Sequence, residues 1–234
     1  MSLRDNPSCR IEFGDSGPDS LGRRRFTLLW EDAGNEWIKE PSKQDGKPVG
    51  HRRVERSGVV WMGGDTLGSN GHYIIQRRDP KVFRRGSYLI GYTSSFRMGN
   101  LLRYEGTLPE WSQNGYTLPE FMVREFVPVV RQLLKDSGYA EIVNNQEFGG
   151  TFLVAVAGEL FEISNDFQVG QPSDAYAAIG GGREVALGAM FAAAGQSPRT
   201  RIEMALRASE RFTAGVRRPF TILRLPAPKR GNHA

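Results

Sequence analysis

Few side chains in this sequence could do chemistry unaided. His51, His72 and His233 are the only histidines, and they are widely separated. Histidine suits general acid–base work near neutral pH, but neither His51 nor His72 has a recognisable partner, so both read as loop residues. The single cysteine, Cys9, excludes a disulfide framework and a multi-cysteine zinc site. Gly180-Gly181-Gly182-Arg183 precedes a predicted helix, whose first free N–H groups suit an anion. The lysine and hydroxyl of a phosphate loop are missing there, which argues against a nucleotide site. Asp65, after Gly63-Gly64, and Lys81, after Asp79-Pro80, read by themselves as a turn cap and a surface cation. No cofactor and no metal is implied.

The chain around these residues has 234 residues, 31 Lys+Arg against 26 Asp+Glu, and a net charge of +5. That length suits one large domain with an appendage and a full core. The basic excess lies outside residues 1–50, in scattered pairs such as Arg77-Arg78, Arg84-Arg85 and Arg217-Arg218. A nucleic-acid interface needs one-sided clustering with interleaved aromatics, so solvated surface arginines are the expectation. No apolar run approaches the roughly 18 residues that would span a bilayer. The first 25 residues lack the hydrophobic stretch of a secretory signal. A protein with no membrane contact, located in the cytoplasm, is expected.

Residues 1–50 are turn-rich, with one compact apolar piece, Phe26-Thr27-Leu28-Leu29-Trp30, readable as a strand or a docking segment. Beyond them, short strands are predicted at Val59–Met62, Tyr73–Ile75 and Ser87–Tyr92, then a helix capped by a hydroxyl of Thr93-Ser94-Ser95. Leu118, Met122, Phe126, Val129, Val130, Leu133 and Leu134 predict one face of a helix over 117–136. Pro119 suits its first turn, Pro128 should kink it, and Ser137-Gly138 should stop it. A hairpin over 151–163, a strand at Ala177–Ile179, an Ala-rich helix from Glu184, a helix from Ser197-Pro198 and a last strand at 220–225 follow. Paired helices around consecutive antiparallel strands imply layered α/β packing.

This order, with several motifs, resembles the proteasome β-subunit family and its HslV-type relatives, N-terminal-nucleophile hydrolases. The resemblance spans residues 50–225. Gly58-Val59-Val60-Trp61-Met62-Gly63-Gly64-Asp65 resembles the family's first hairpin, and Asp79-Pro80-Lys81-Val82 the segment with its catalytic lysine. The interval of 16 residues from Asp65 to Lys81 is the family interval. Leu89–Ser95 resembles the corner that shapes the specificity pocket and oxyanion hole, which includes Ser94. Tyr176–Gly182 resembles the turn before the third helix, and Pro219-Phe220-Thr221-Ile222 the closing strand. The resemblance implies an α+β fold, a four-layer αββα sandwich over residues 51–226, with 1–50 an irregular extension or propeptide and 227–234 a polar tail. It implies self-association, with a ring as one form, a peptide or protein substrate if the site is active, and for an active member an ATP-dependent unfolding partner.

The family's nucleophile is an N-terminal threonine whose own α-amine is the general base. The resemblance puts Lys81 beside it as a cation and Asp65 as the residue that holds the lysine. Counting back without gaps reaches Val49, which has no hydroxyl, and the family's second serine falls on Gly181. These two positions predict an inactivated, structural or regulatory relative. The alternative is a peptidase matured by cleavage before Thr27 or before Cys9.

Overall fold

The computed structural model describes residues 28–32, 58–69, 73–112 and 115–227. Strand β1 (Leu28–Asp32) is followed by β2 (Val60–Gly64), β3 (Leu67–Ser69), β4 (Ile74–Gln76), β5 (Val82–Arg85) and β6 (Tyr88–Tyr92). Helices α1 (Phe96–Tyr104), α2 (Leu118–Phe121) and α3 (Val127–Asp136) come next, with a π-helical turn, Met122–Phe126, joining the last two. The second half runs β7 (Glu141–Val143), β8 (Gln146–Phe148), β9 (Phe152–Val156), β10 (Glu159–Ile163), β11 (Val169–Gly170) and β12 (Tyr176–Ile179). It closes with α4 (Arg183–Ala192), α5 (Pro198–Phe212) and β13 (Thr221–Leu225).

Two antiparallel sheets carry the fold, in the orders β12-β1-β2-β13 and β11-β10-β9-β6-β5. Strands β9 and β6 are apolar along their whole length because each serves two cores. Along β9, Phe152, Val154 and Val156 join one cluster while Leu153 and Ala155 join another. The second cluster also takes Val60 and Met62 of β2 and Ala177 and Ile179 of β12, so it fills the space between the sheets. Between these, Trp61 and Ala178 face a third cluster with Met190 of α4 and Ile202 and Leu206 of α5. The period of two along each strand sorts its residues between the cores.

Strand β1 is an interior strand, bonded to β12 on one side and to β2 on the other. Part of the segment expected as an irregular extension to residue 50 is thus a sheet strand. A strand flanked on both sides favours apolar sequence, which Leu28-Leu29-Trp30 has and His51-Arg52-Arg53-Val54-Glu55-Arg56-Ser57 lacks.

The expected helix over 117–136 forms with its capping signals in place. Thr117 Oγ1 accepts from the Glu120 N–H, and Glu120 in turn accepts from the Thr117 N–H at 2.8 Å. Gly138 ends it at φ 62°. Pro128 lacks the N–H for the usual bond four residues back, and the turn before it widens into the π form, with the Val127 N–H reaching Met122. The wide turn takes up an extra residue, so the buried stripe continues through Val127, Val130 and Leu134. Val129, expected on that stripe, is exposed instead. The hairpin β7–β8, with Asn144 and Asn145 both at positive φ, has no counterpart among the expected elements.

Candidate functional site

At one end of the first sheet, Ile179, Leu28, Gly64 and Thr221 lie in one row across four strands. Past that row β2 runs into Asp65 and β12 into the Gly180-Gly181-Gly182 turn. Lys81, one residue before β5, reaches the same place. Its Nζ donates to Asp65 Oδ1 at 2.6 Å, and neither side chain has any solvent exposure. Asp65 Oδ2 accepts from the backbone N–H groups of Leu67 and Arg217, each at 3.2 Å. The carboxylate is thereby tied to its own strand end and to the approach to β13.

Burial dominates the electrostatics of this pair. It lowers Lys81 from 10.5 to about 8, against the opposing pull of Asp65. It raises Asp65 above its ordinary value despite Lys81 and the two backbone donors. Both groups are pushed toward their neutral forms, so the lysine can change charge close to neutral pH. The lysine backbone is held as well, its carbonyl accepting from the Tyr92 N–H at 3.1 Å. Beyond the pair lies Phe96, whose ring centre is 5.7 Å from Lys81 Nζ.

The other expected residues fall into two groups. Ser94 sits at the corner between β6 and α1, half-buried, with φ 74°, and Ser95 caps the helix by accepting from the Arg97 N–H. Gly181 is exposed in the turn after β12, where Gly180 takes φ 95° and accepts from the Arg183 N–H. Thr27, Cys9, Val49 and the three histidines lie outside the described residues. The ungapped count that reaches Val49 takes the segment just before β2 as its neighbour in the sheet. The partners of β2 are Leu28–Asp32, which lies further back in the chain, and Thr221–Leu225, which lies far ahead.

Sequence reasoning missed the support from Arg217, which is 152 residues from Asp65 and carries no local signal. It also passed over Phe96 as a neighbour of Lys81. Among the described residues no group of three or more metal-binding side chains occurs. No helix among them is long and apolar enough to cross a membrane.

No protein-family model matches the chain, and no curated protein matches it. Solved structures do. BPH of Thiobacillus denitrificans in complex with epoxomicin is 19% identical, with a TM-score of 0.62 over 86% of this chain and 99% of that one. A second structure of that BPH gives 18% identity and a TM-score of 0.61 over 87% and 99%. The eukaryotic HslV from Trypanosoma brucei gives 16% and 0.53 over 86% and 99%. This chain has a proteasome β-subunit/HslV-like fold.

Proposed function

We propose that this proteasome-like subunit is a peptidase of the N-terminal-nucleophile type, with Thr27 as its nucleophile after cleavage of the Phe26–Thr27 bond. The observation that carries this reading is the register of β1. Leu28 pairs with Gly64, and the next residue, Asp65, holds Lys81. Thr27 is peptide-bonded to Leu28, and neighbouring strands lie about 5 Å apart. In sequence Thr27 directly precedes the residue that faces Gly64, as Asp65 directly follows Gly64. The reading of an inactivated subunit drew on both Val49 and Gly181. The register favours Thr27 over Val49 and leaves Gly181 as the one missing hydroxyl.

In this mechanism the Thr27 hydroxyl attacks the peptide carbonyl carbon while its proton passes to the free α-amine. The tetrahedral intermediate collapses, and the departing peptide amine takes that proton. Water then hydrolyses the ester, with the same amine as its base. Lys81, when charged, lowers the α-amine's proton affinity and stabilises negative charge on the threonine oxygen. Asp65 positions the lysine and favours its charged form. Ser94, at positive φ, belongs to the corner that would receive the oxyanion, and Gly181 would flank the nucleophile.

The same reading takes the three cores as a four-layer αββα sandwich and its substrates as peptides or proteins. Intact mass and peptide hydrolysis test it together. A chain starting at Thr27 that cleaves peptides and is labelled by epoxomicin, with Thr27→Ala full-length and inert, is the expected result. A full-length wild-type mass with no labelling would return the protein to the inactive, structural class.

A further inference from the structure

Arg217 supports the buried pair with more than its backbone. We propose that its side chain is a positioning residue for Asp65: by holding three carbonyl oxygens near the end of α5, it aims its own peptide N–H at the carboxylate. Its bearing on hydrolysis rests on the peptidase reading above.

Three carbonyls gather on one nitrogen. Arg217 Nη1 donates to the oxygens of Glu210, Thr213 and Val216, at 3.1, 3.0 and 2.7 Å. A guanidinium nitrogen of this kind carries two hydrogens, so the three oxygens share them and are held together by its charge. Two of the three belong to the C-terminal end of α5, Glu210 in the last turn and Thr213 at the cap. Carbonyls there have no partner further along the helix and carry partial negative charge, which a cation answers.

The third oxygen connects the guanidinium to Asp65. The Val216 carbonyl and the Arg217 N–H belong to one planar trans peptide group, in which they point in opposite directions. Nη1 grips the oxygen at 2.7 Å, and on the other side of the plane the N–H donates to Asp65 Oδ2 at 3.2 Å. Rotating that peptide about the chain would lose both bonds together. The side chain thus sets the direction of the donor that Asp65 receives.

The flanking residues are fastened separately. The Arg218 N–H donates to Glu210 Oε1 at 2.9 Å, and its guanidinium pairs with the same carboxylate through Nε and Nη2. Gln76 Nε2 donates to the Arg218 carbonyl at 2.7 Å and to Thr66 Oγ1 at 2.9 Å. These bonds tie down the approach to β13, and none of them fixes the Val216–Arg217 peptide. Arg218 therefore supplies a control, since it stitches the same segment to the same helix without gripping that peptide. Lys81, before β5, and Tyr92 of β6 are the other titratable groups that face Asp65, and both stay in every variant used below.

The test follows the protonation of Asp65 in the full-length gene product by isotope-edited infrared titration of its aspartate carboxyls, with Asp65→Asn marking the band. A carboxylate that loses a donor holds its proton more tightly. Arg217→Ala should raise the Asp65 midpoint by about one pH unit, the scale of a hydrogen bond to a charged group. Arg217→Lys, which still brings a cation to the carbonyls, should fall between Arg217→Ala and wild type. Arg218→Ala should lower the urea midpoint and leave the Asp65 titration where it was. Arg217→Ala that loses stability with no change in the Asp65 titration overturns the proposal, and so does an equal shift in Arg218→Ala. In peptide assays Arg217→Ala should lower kcat about ten-fold with KM little changed. Wild-type protein that cleaves no peptide and shows no chain beginning at Thr27 overturns the peptidase reading alone, and the titration still decides the role of Arg217.

Discussion

A lysine and an aspartate closed off from water are costly to keep unless each has the other. Lys81→Ala should therefore abolish peptide hydrolysis and also lower stability by about 3–5 kcal/mol, the usual cost of stranding one member of a buried pair. Asp65→Asn with Lys81→Met should recover most of that stability, because the amide oxygen still accepts from Leu67 and Arg217, yet remain inert. Urea denaturation and peptide assays on both variants separate the two effects. The pH response follows from the same burial. An α-amine titrates near 7.7–8.0 and must lose its proton to serve as base, while Lys81, at about 8, must keep its own to supply charge. Hydrolysis should peak at about pH 8 and fall on both sides, with limbs that belong to the coupled pair. Stability carries the opposite mark of burial: the folded lysine's pKa lies below its unfolded 10.5, so the unfolded chain binds the extra proton between them. Its contribution to stability should thus rise with pH from about 8 to 10.5, seen by comparing wild type with Asp65→Asn/Lys81→Met. The Asp65–Lys81 pair was expected only through the family resemblance and its 16-residue interval; by themselves the two residues read as a turn cap and a surface cation. Their surroundings were not legible, since Arg217 arrives from the far end of the chain.

At the level of elements, close approach governs how the layers meet. A Cβ on Gly63 of β2 would lie 2.4 Å from Ile202 Cγ2 of α5. Gly63→Ala should cost about 1–3 kcal/mol through overpacking, and Ile202→Ala in the same chain should return part of it, which a double-mutant cycle by chemical denaturation would measure. Many elements were readable because their signals are local: Pro119 in a first turn, the Gly138 stop, the hydroxyls before α1 and α5. Strands β3, β5 and β11 went unread, and two other departures have plain physical reasons. The π-helical turn shifts the helix phase, so Val129 faces out where a regular helix would bury it. The β7–β8 hairpin escaped notice because its strand residues are mostly exposed and show no alternation. Strand β1 was visible as an apolar run, but its membership of the sheet depends on partners at β2 and β12 that no local pattern announces.

For the whole molecule, the surface of the α4–α5 layer is informative. Phe191 of α4 and Phe212 of α5 are each 74% exposed, and we take them as the residues that self-association would cover. The protein should sediment as an oligomer, and Phe191→Ser with Phe212→Ser should shift it toward the monomer in sedimentation velocity. The chain's route through the first sheet has its own consequence. Asp32 lies opposite Val60, yet the intervening chain is far longer than the two to five residues a hairpin connection needs. The sheet's bonds to β1 depend on the strand's presence beside β2 and β12, not on the covalent path that brings it there. On the peptidase reading proposed above, a chain severed between β1 and β2 should reassemble through those two ladders, and a short peptide beginning at Thr27, supplied separately, should restore hydrolysis to the larger piece; two pieces that stay apart on mixing would count against it.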